Sequence, residues 1–138
     1  MITRDAHAVW HRNLKQGEGT MRFGSFEGSY SFATRFENEA GTNPEELIGA
    51  AHAGCFSMAL ANTLDKAGHA PDSVETTAHV RLDPSQGAIT RIDLDTTVTA
   101  PGLSDGEFQR LAEDAKRNCP VSKALAGVDI HLDATLAG

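Results

Sequence analysis

Residues 41–64, GTNPEELIGAAHAGCFSMALANTL, read as one long helix with apolar groups at every angle around its axis. Asn43 is a good N-cap, Pro44 suits the first helical position, and Glu46 completes a capping-box pattern. Gly68 supplies the stop. Between these signals Leu47, Ile48, Ala51, Phe56, Met58 and Leu60 leave no polar face. A helix that is apolar all round must be covered all round, and one small sheet covers only one side. No other feature constrains the chain as much, because it demands a second covering layer. A second copy of the chain is the simplest source, so we expect a homodimer. Gly49, Ala50, Ala51, Ala53 and Gly54 are small enough to let two such helices approach closely.

The flanking segments supply sheet. HAVWHRN, GTMRFGSF and GSYSFATRFE read as three short strands separated by glycine-bearing turns. After the helix, SVETTAHVRLD alternates through Val74, Thr76, Ala78, Val80 and Leu82, and AITRIDLDTTVT alternates through Ile92, Leu94, Thr96 and Val98. These two read as a half-buried antiparallel pair. SDGEFQRLAEDAKRN carries Ser104 and Glu107 as a capping box and an apolar stripe of Phe108, Leu111, Ala112 and Ala115. Cys119-Pro120 opens a short helix that Gly127 closes, and VDIHLDATL alternates once more. The expected order is βββ-α-ββ-α-α-β, an α+β chain of antiparallel sheets, and 138 residues fit a single domain spanning 1–138.

Net charge is −7, with no Lys/Arg cluster, which argues against nucleic acid as a partner. The opening MITRDAHAVWHRN lacks a signal-peptide core, and the window from Leu47 to Leu60 is too short to span a bilayer. A cytoplasmic protein is expected, with no membrane partner. Thiols stay reduced there, so the two cysteines, Cys55 and Cys119, are either inert core residues or redox-active ones.

For Cys55 the bland reading is a small hydrophobe in the core. Cys119 weakens it, because a thiol just before Pro120 points at the free N–H groups of a helix start, which favours thiolate. His52 and Cys55, one helical turn apart, could bind a metal with Cys119, but no further ligand stands at convincing spacing. Packing or a polar contact is the expected role of His52, and no metal is expected. The other five histidines fall on strands or turns and are expected to face solvent. Arg35, at the end of the third strand, reads as a surface cation, and Glu45 and Glu46 read as first-turn carboxylates that complement the helix dipole.

TRFENEAGTNPEELIGAAHAGCFSMAL and the later NCPVSKAL resemble the OsmC/Ohr family of thiol-dependent hydroperoxide reductases, more the OsmC branch than the organic hydroperoxide resistance branch. The connection GSFEGSY is short beside that branch. The resemblance implies an intertwined homodimer, with sheets wrapped around long central helices and active sites at the subunit interface. It also implies peroxidase activity toward organic hydroperoxides, with hydrogen peroxide used less well, in oxidative and osmotic stress defence. Carried over by motif, Cys55 is the peroxide-attacking cysteine, Cys119 the resolving cysteine, and Arg35 and Glu45 the polar pair beside the thiolate. No bound cofactor is implied, and an external dithiol, of the dihydrolipoyl kind, is the implied reductant.

That chemistry suits the residue types. Arg35 is always cationic and would lower the Cys55 pKa, while Glu45 could hold the guanidinium bidentately. An apolar pocket built from the helix's own side chains would favour alkyl over bare peroxide. Ten residues of continuous helix separate Glu45 from Cys55, about 15 Å, too far for direct contact in one chain. Two helices crossing antiparallel near Ala50 would bring residue 45 of one chain to residue 55 of the other. A redox sensor or lipophilic-ligand carrier, and an acyl-thioester enzyme, are the competing readings. The last would not need a second cysteine.

Overall fold

In the computed structural model, which describes residues 1–138, the chain divides into two units, Met1–Leu47 and Ile48–Gly138. The first holds an antiparallel meander of β1 (His7–His11), β2 (Glu18–Phe23) and β3 (Phe26–Tyr30). Gly24 turns the β2–β3 hairpin with φ +54°, the left-handed region that tight hairpin loops favour. Phe23 and Phe26 pair across that turn and stack at 4.9 Å.

The third strand stops earlier than expected. Phe32–Phe36, read above as strand, is a short helix, α1. Ser31 Oγ accepts the Thr34 N–H at 3.2 Å, and Thr34 Oγ1 accepts the Ser31 N–H at 2.8 Å. This reciprocal cap gives the backbone local partners in place of a strand ladder. Phe32 and Phe36, one turn apart, pack with ring centroids 4.8 Å apart. The order is therefore βββ-αα-ββ-αα-β, and Arg35 ends a helix rather than a strand.

Helix α2 (Pro44–Lys66) begins in the first unit and runs on into the second. Asn43 Oδ1 accepts the Glu46 N–H at 2.8 Å, as the capping signal requires. At the other end Gly68 has φ +87°, with His69 N–H bonded to Leu64 O and Gly68 N–H to Asp65 O. That pair of bonds is the Schellman stop that only a residue tolerant of positive φ supports well. At 23 residues α2 is, by length and composition alone, long and apolar enough to cross a membrane. The shorter 47–60 window therefore understated its reach. What ties it down is burial of one face.

In the second unit that face carries His52, Phe56, Leu60 and Leu64, all fully buried. They meet the inward side of a sheet ordered β4 (Ser73–Asp83), β5 (Ala88–Thr99), β6 (Asp129–Leu136), and the stripe of α3 (Asp105–Asn118). Side chains such as Phe56, Leu60 and Phe108 contribute roughly 1.5–3 kcal/mol each on burial. The β4–β5 pair is antiparallel, as expected, but β6 runs parallel to β5. A parallel pair needs a crossover, which α3 and α4 (Pro120–Ala124) provide. The all-antiparallel expectation thus fails at its last strand.

Gly49 belongs to the packed side of α2, where an added Cβ would come within 3.3 Å of Val80 Cγ2. It serves helix–sheet contact within this unit. The opposite side is bare: Ala50, Ala51 and Gly54 are exposed and Met58 is 77% exposed. Of the most apolar 18-residue window of α2, only 28% is buried. One face is covered and the other is not.

Candidate active site

Cys119 stands where two helices meet. Its backbone N–H caps the C-terminus of α3 through Ala115 O, and the residue is also the N-cap of α4, with Pro120 following. Proline is tolerated there because the first N–H of a helix has no intrahelical partner. This corner turns the Cys119 side chain toward α2, where Cys55 waits 64 residues earlier in the chain. The two Sγ atoms are 3.1 Å apart and both thiols are free. Cys119 is fully buried, whereas Cys55 is half-buried and packs at the edge of the core.

The two sulfurs are not equivalent. Burial pushes the Cys119 thiol up, but the Ser122 N–H, the contact with Cys55, the Ser122 hydroxyl and the Val121 N–H together bring it below the ordinary thiol value. Cys55 stays above that value, through burial first; the Val121 N–H opposes this, and hydrogen bonding to Cys119 and its charge add to it. The groups acting on Cys55 include no cation. Within one chain, then, Cys119 is the more acidic of the two thiols.

In the first unit Arg35 Nε donates to Glu45 Oε1 at 2.8 Å. Both ends of this pair are held by one asparagine: Asn43 caps α2 through Oδ1 and donates from Nδ2 to Thr34 O at 3.2 Å, beside Arg35 on α1. The Glu45 side chain is 10% exposed and that of Arg35 is 35%. The pairing is through one carboxylate oxygen only, not the bidentate clasp expected, and buried Glu45 Oε2 has no donor. The guanidinium also lies 5.4 Å from the centre of the Phe36 ring.

Arg35 borders a cleft of about 410 Å³ with Trp10, Leu14, Tyr30, Phe32 and Phe36 on its walls. The apolar pocket was expected from the side chains of α2; this one is built by the strands and α1 of the first unit. The four sequence candidates thus fall into two pairs, Cys55 with Cys119 and Arg35 with Glu45. No group of three or more His, Cys, Asp or Glu side chains comes together to hold a metal ion. His52 makes the polar contact expected of it, to Ser122 Oγ at 2.8 Å. Ser122 itself was not foreseen, although its place three residues after an N-cap is one from which a hydroxyl reaches back.

The family model for OsmC, described as OsmC-like protein, matches residues 36–133. Over 140 residues the chain is 46% identical to Peroxiredoxin OsmC of Escherichia coli (strain K12), covering 98% of this chain and 97% of that protein. It is 34% identical over 99 residues to Organic hydroperoxide resistance protein OhrB of Bacillus subtilis (strain 168), covering 70% and 72%. Among solved structures, an OsmC like protein from Mycoplasma pneumoniae superposes with a TM-score of 0.75 at 19% identity, over 99% of both chains. That likeness shows the fold.

Proposed function

The chain belongs to the OsmC-like protein family, and on that premise we propose that it is a thiol-dependent peroxidase reducing organic hydroperoxides, and hydrogen peroxide less well, in oxidative and osmotic stress defence. The observation that carries this reading is the pair of free sulfurs 3.1 Å apart, one fully buried and one not. Cys55 attacks the distal peroxide oxygen, the O–O bond breaks, and the alkoxide leaves as alcohol after taking a proton. Cys55 is then a sulfenic acid. Cys119 attacks its sulfur, the S–O bond breaks, and a disulfide and water result. The chemistry is that of cysteine itself, with no prosthetic group, and an external dithiol of the dihydrolipoyl kind closes the cycle. We place the protein in the cytoplasm, where such reductants keep thiols available.

Attack by Cys55 needs a cation that its own surroundings do not supply. We propose that a homodimer supplies it, with Arg35 of the partner subunit, held by Glu45 of the partner subunit, beside each Cys55. Two features support this reading. The face of α2 bearing Ala50, Ala51, Gly54 and Met58 is apolar and uncovered, and buried Glu45 Oε2 lacks a donor, which costs free energy unless one arrives. The cleft beside Arg35 suits an alkyl chain, consistent with organic hydroperoxides as substrates. The 138 residues act in this scheme as a single domain.

The test is a thiol count after limiting organic hydroperoxide. Wild type should lose both thiols and regain them with a dithiol over many cycles. Cys55→Ser should consume no peroxide, and Cys119→Ser should react once and stall with oxygen added to Cys55. Peroxide consumption by Cys55→Ser at the wild-type rate would remove the assignment.

A further inference from the structure

The cleft beside Arg35 carries a second cation that the chemistry above leaves unused. Arg12 lies on its wall with Trp10, Tyr30, Phe32 and Phe36, and no Asp or Glu borders the cavity. Arg35 is paired with Glu45, so its charge is offset locally. Arg12 enters none of the ion pairs of the chain. One uncompensated positive charge therefore stands on largely apolar walls. The backbone presents it in an unusual way: Arg12, at φ +71°, is the one residue other than glycine in the left-handed region. A side chain with a Cβ is sterically disfavoured there, and such outliers collect at binding sites. The loop after β1 holds it in place. Asn13 O accepts the Gly17 N–H at 2.9 Å and the Trp10 indole N–H at 3.3 Å, and Asn13 Oδ1 accepts the Gln16 N–H at 2.8 Å. The Trp10 ring in turn packs on Tyr30 with centroids 5.2 Å apart, so the same bonds tie the aromatic wall to the loop that carries the charge.

We infer that Arg12 is a specificity-determining residue, the anchor for a carboxylate at the far end of a substrate whose apolar chain lies along the aromatic walls. The inference rests on the peroxidase reading and narrows it, from organic hydroperoxides at large to those that also carry a carboxylate. Size and lining call for an apolar chain, since a cleft of about 410 Å³ is in the range of small-molecule sites. Charge calls for an anion. A guanidinium without a partner matches a carboxylate through two parallel N–H bonds, a geometry that a neutral group does not reproduce. Arg35, already engaged by Glu45, is left for the peroxide end. A neutral hydroperoxide would fill the same walls and leave Arg12 to water, so the arginine separates the two classes by differential binding. Arg12 touches no reacting atom. It selects which chain enters.

The decisive measurement needs no peroxide. Trp10 is the sole tryptophan and stands on the cleft wall, so its fluorescence reports occupancy. Octanoate and octanol serve as unreactive probes of equal chain length. Wild type should bind octanoate about fivefold more tightly than octanol, the upper end of what an exposed ion pair contributes. The preference should shrink as salt is raised. Arg12→Asn should abolish it, and asparagine tolerates positive φ, so the loop keeps its backbone. Arg12→Lys, which keeps the charge and loses the fork, should retain part of it. If Arg12→Asn fails to fold, Arg12→Gly, free of any Cβ, takes its place. With peroxide supplied, the ratio of kcat/KM for a carboxylate-terminated over a neutral hydroperoxide of the same length should fall about fivefold in Arg12→Asn, matching the lost binding preference. Silence of Trp10 toward octanoate, equal binding of the two probes by wild type, or a preference that survives Arg12→Asn overturns the subsite. A preference that disappears with Arg12 in a protein that consumes no peroxide keeps the subsite and removes the peroxidase reading instead.

Discussion

Replacing Met58 by glutamate asks directly what covers the bare face of α2. In a lone chain Met58 is 77% exposed, so a glutamate there would sit in water. Glutamate is also a good helix former. The expected change in stability of such a chain is therefore within about 0.5 kcal/mol. If a second copy covers the face, each methionine contributes roughly 1.5–3 kcal/mol by its burial. The position occurs twice in a two-fold interface, so about 3–6 kcal/mol of association is lost. That raises the dissociation constant by roughly 10²- to 10⁴-fold, before any cost of desolvating two carboxylates. Sedimentation equilibrium over a dilution series measures the constant, and thermal melts at the same concentrations should show a midpoint that rises with concentration only for wild type. Equal association of wild type and Met58→Glu, or a fully active wild-type monomer, would refute the reasoning.

Two further outcomes are expected. Mixing Glu45→Ala with Cys55→Ser, each inactive alone, should give about a quarter of wild-type activity, since half of randomly paired dimers are mixed and each has one working site; no recovery would confine Glu45 to its own chain or to no role. Acid sensitivity just below pH 6.5 should trace in part to His52. Its folded pKa lies below the ordinary 6.5 through burial, so below pH 6.5 the unfolded chain binds the extra proton, and stability is lost as pH falls from there through the folded value. Chemical denaturation of wild type and His52→Gln at matched pH should show a shallower acid-side loss in the variant.

Much of this architecture was legible because its signals are local and redundant. Asn43 stands one residue before α2 and Gly68 two after it, and Ile92, Leu94, Thr96 and Val98 alternate as they are buried. The failures have physical causes too. Five residues, Phe32–Phe36, are too few for periodicity to separate strand from helix, and the deciding signal was the reciprocal pair of Ser31 and Thr34. The direction of β6 depends on a crossover, which a strand's own alternation does not encode. The sulfur pair was legible as motif, but the inequality of its two members was only half so. Pro120 announced the helix start beside Cys119, whereas Ser122, the buried partner of His52, shows its use only once α4 lies against α2.

Under the proposed function, the two unlike sulfurs also set the direction in which the oxidised protein would be repaired. Thiol–disulfide exchange has an attacked sulfur and a leaving sulfur, and the better leaving group is the thiol of lower pKa. Cys119 has no exposed surface and the lower pKa of the pair, whereas Cys55 has surface and the higher. An incoming dithiol would therefore meet Cys55, form its mixed disulfide there, and expel Cys119, the sulfur of lower pKa. The reductant's second thiol would then release Cys55, the more exposed sulfur, to meet the next peroxide.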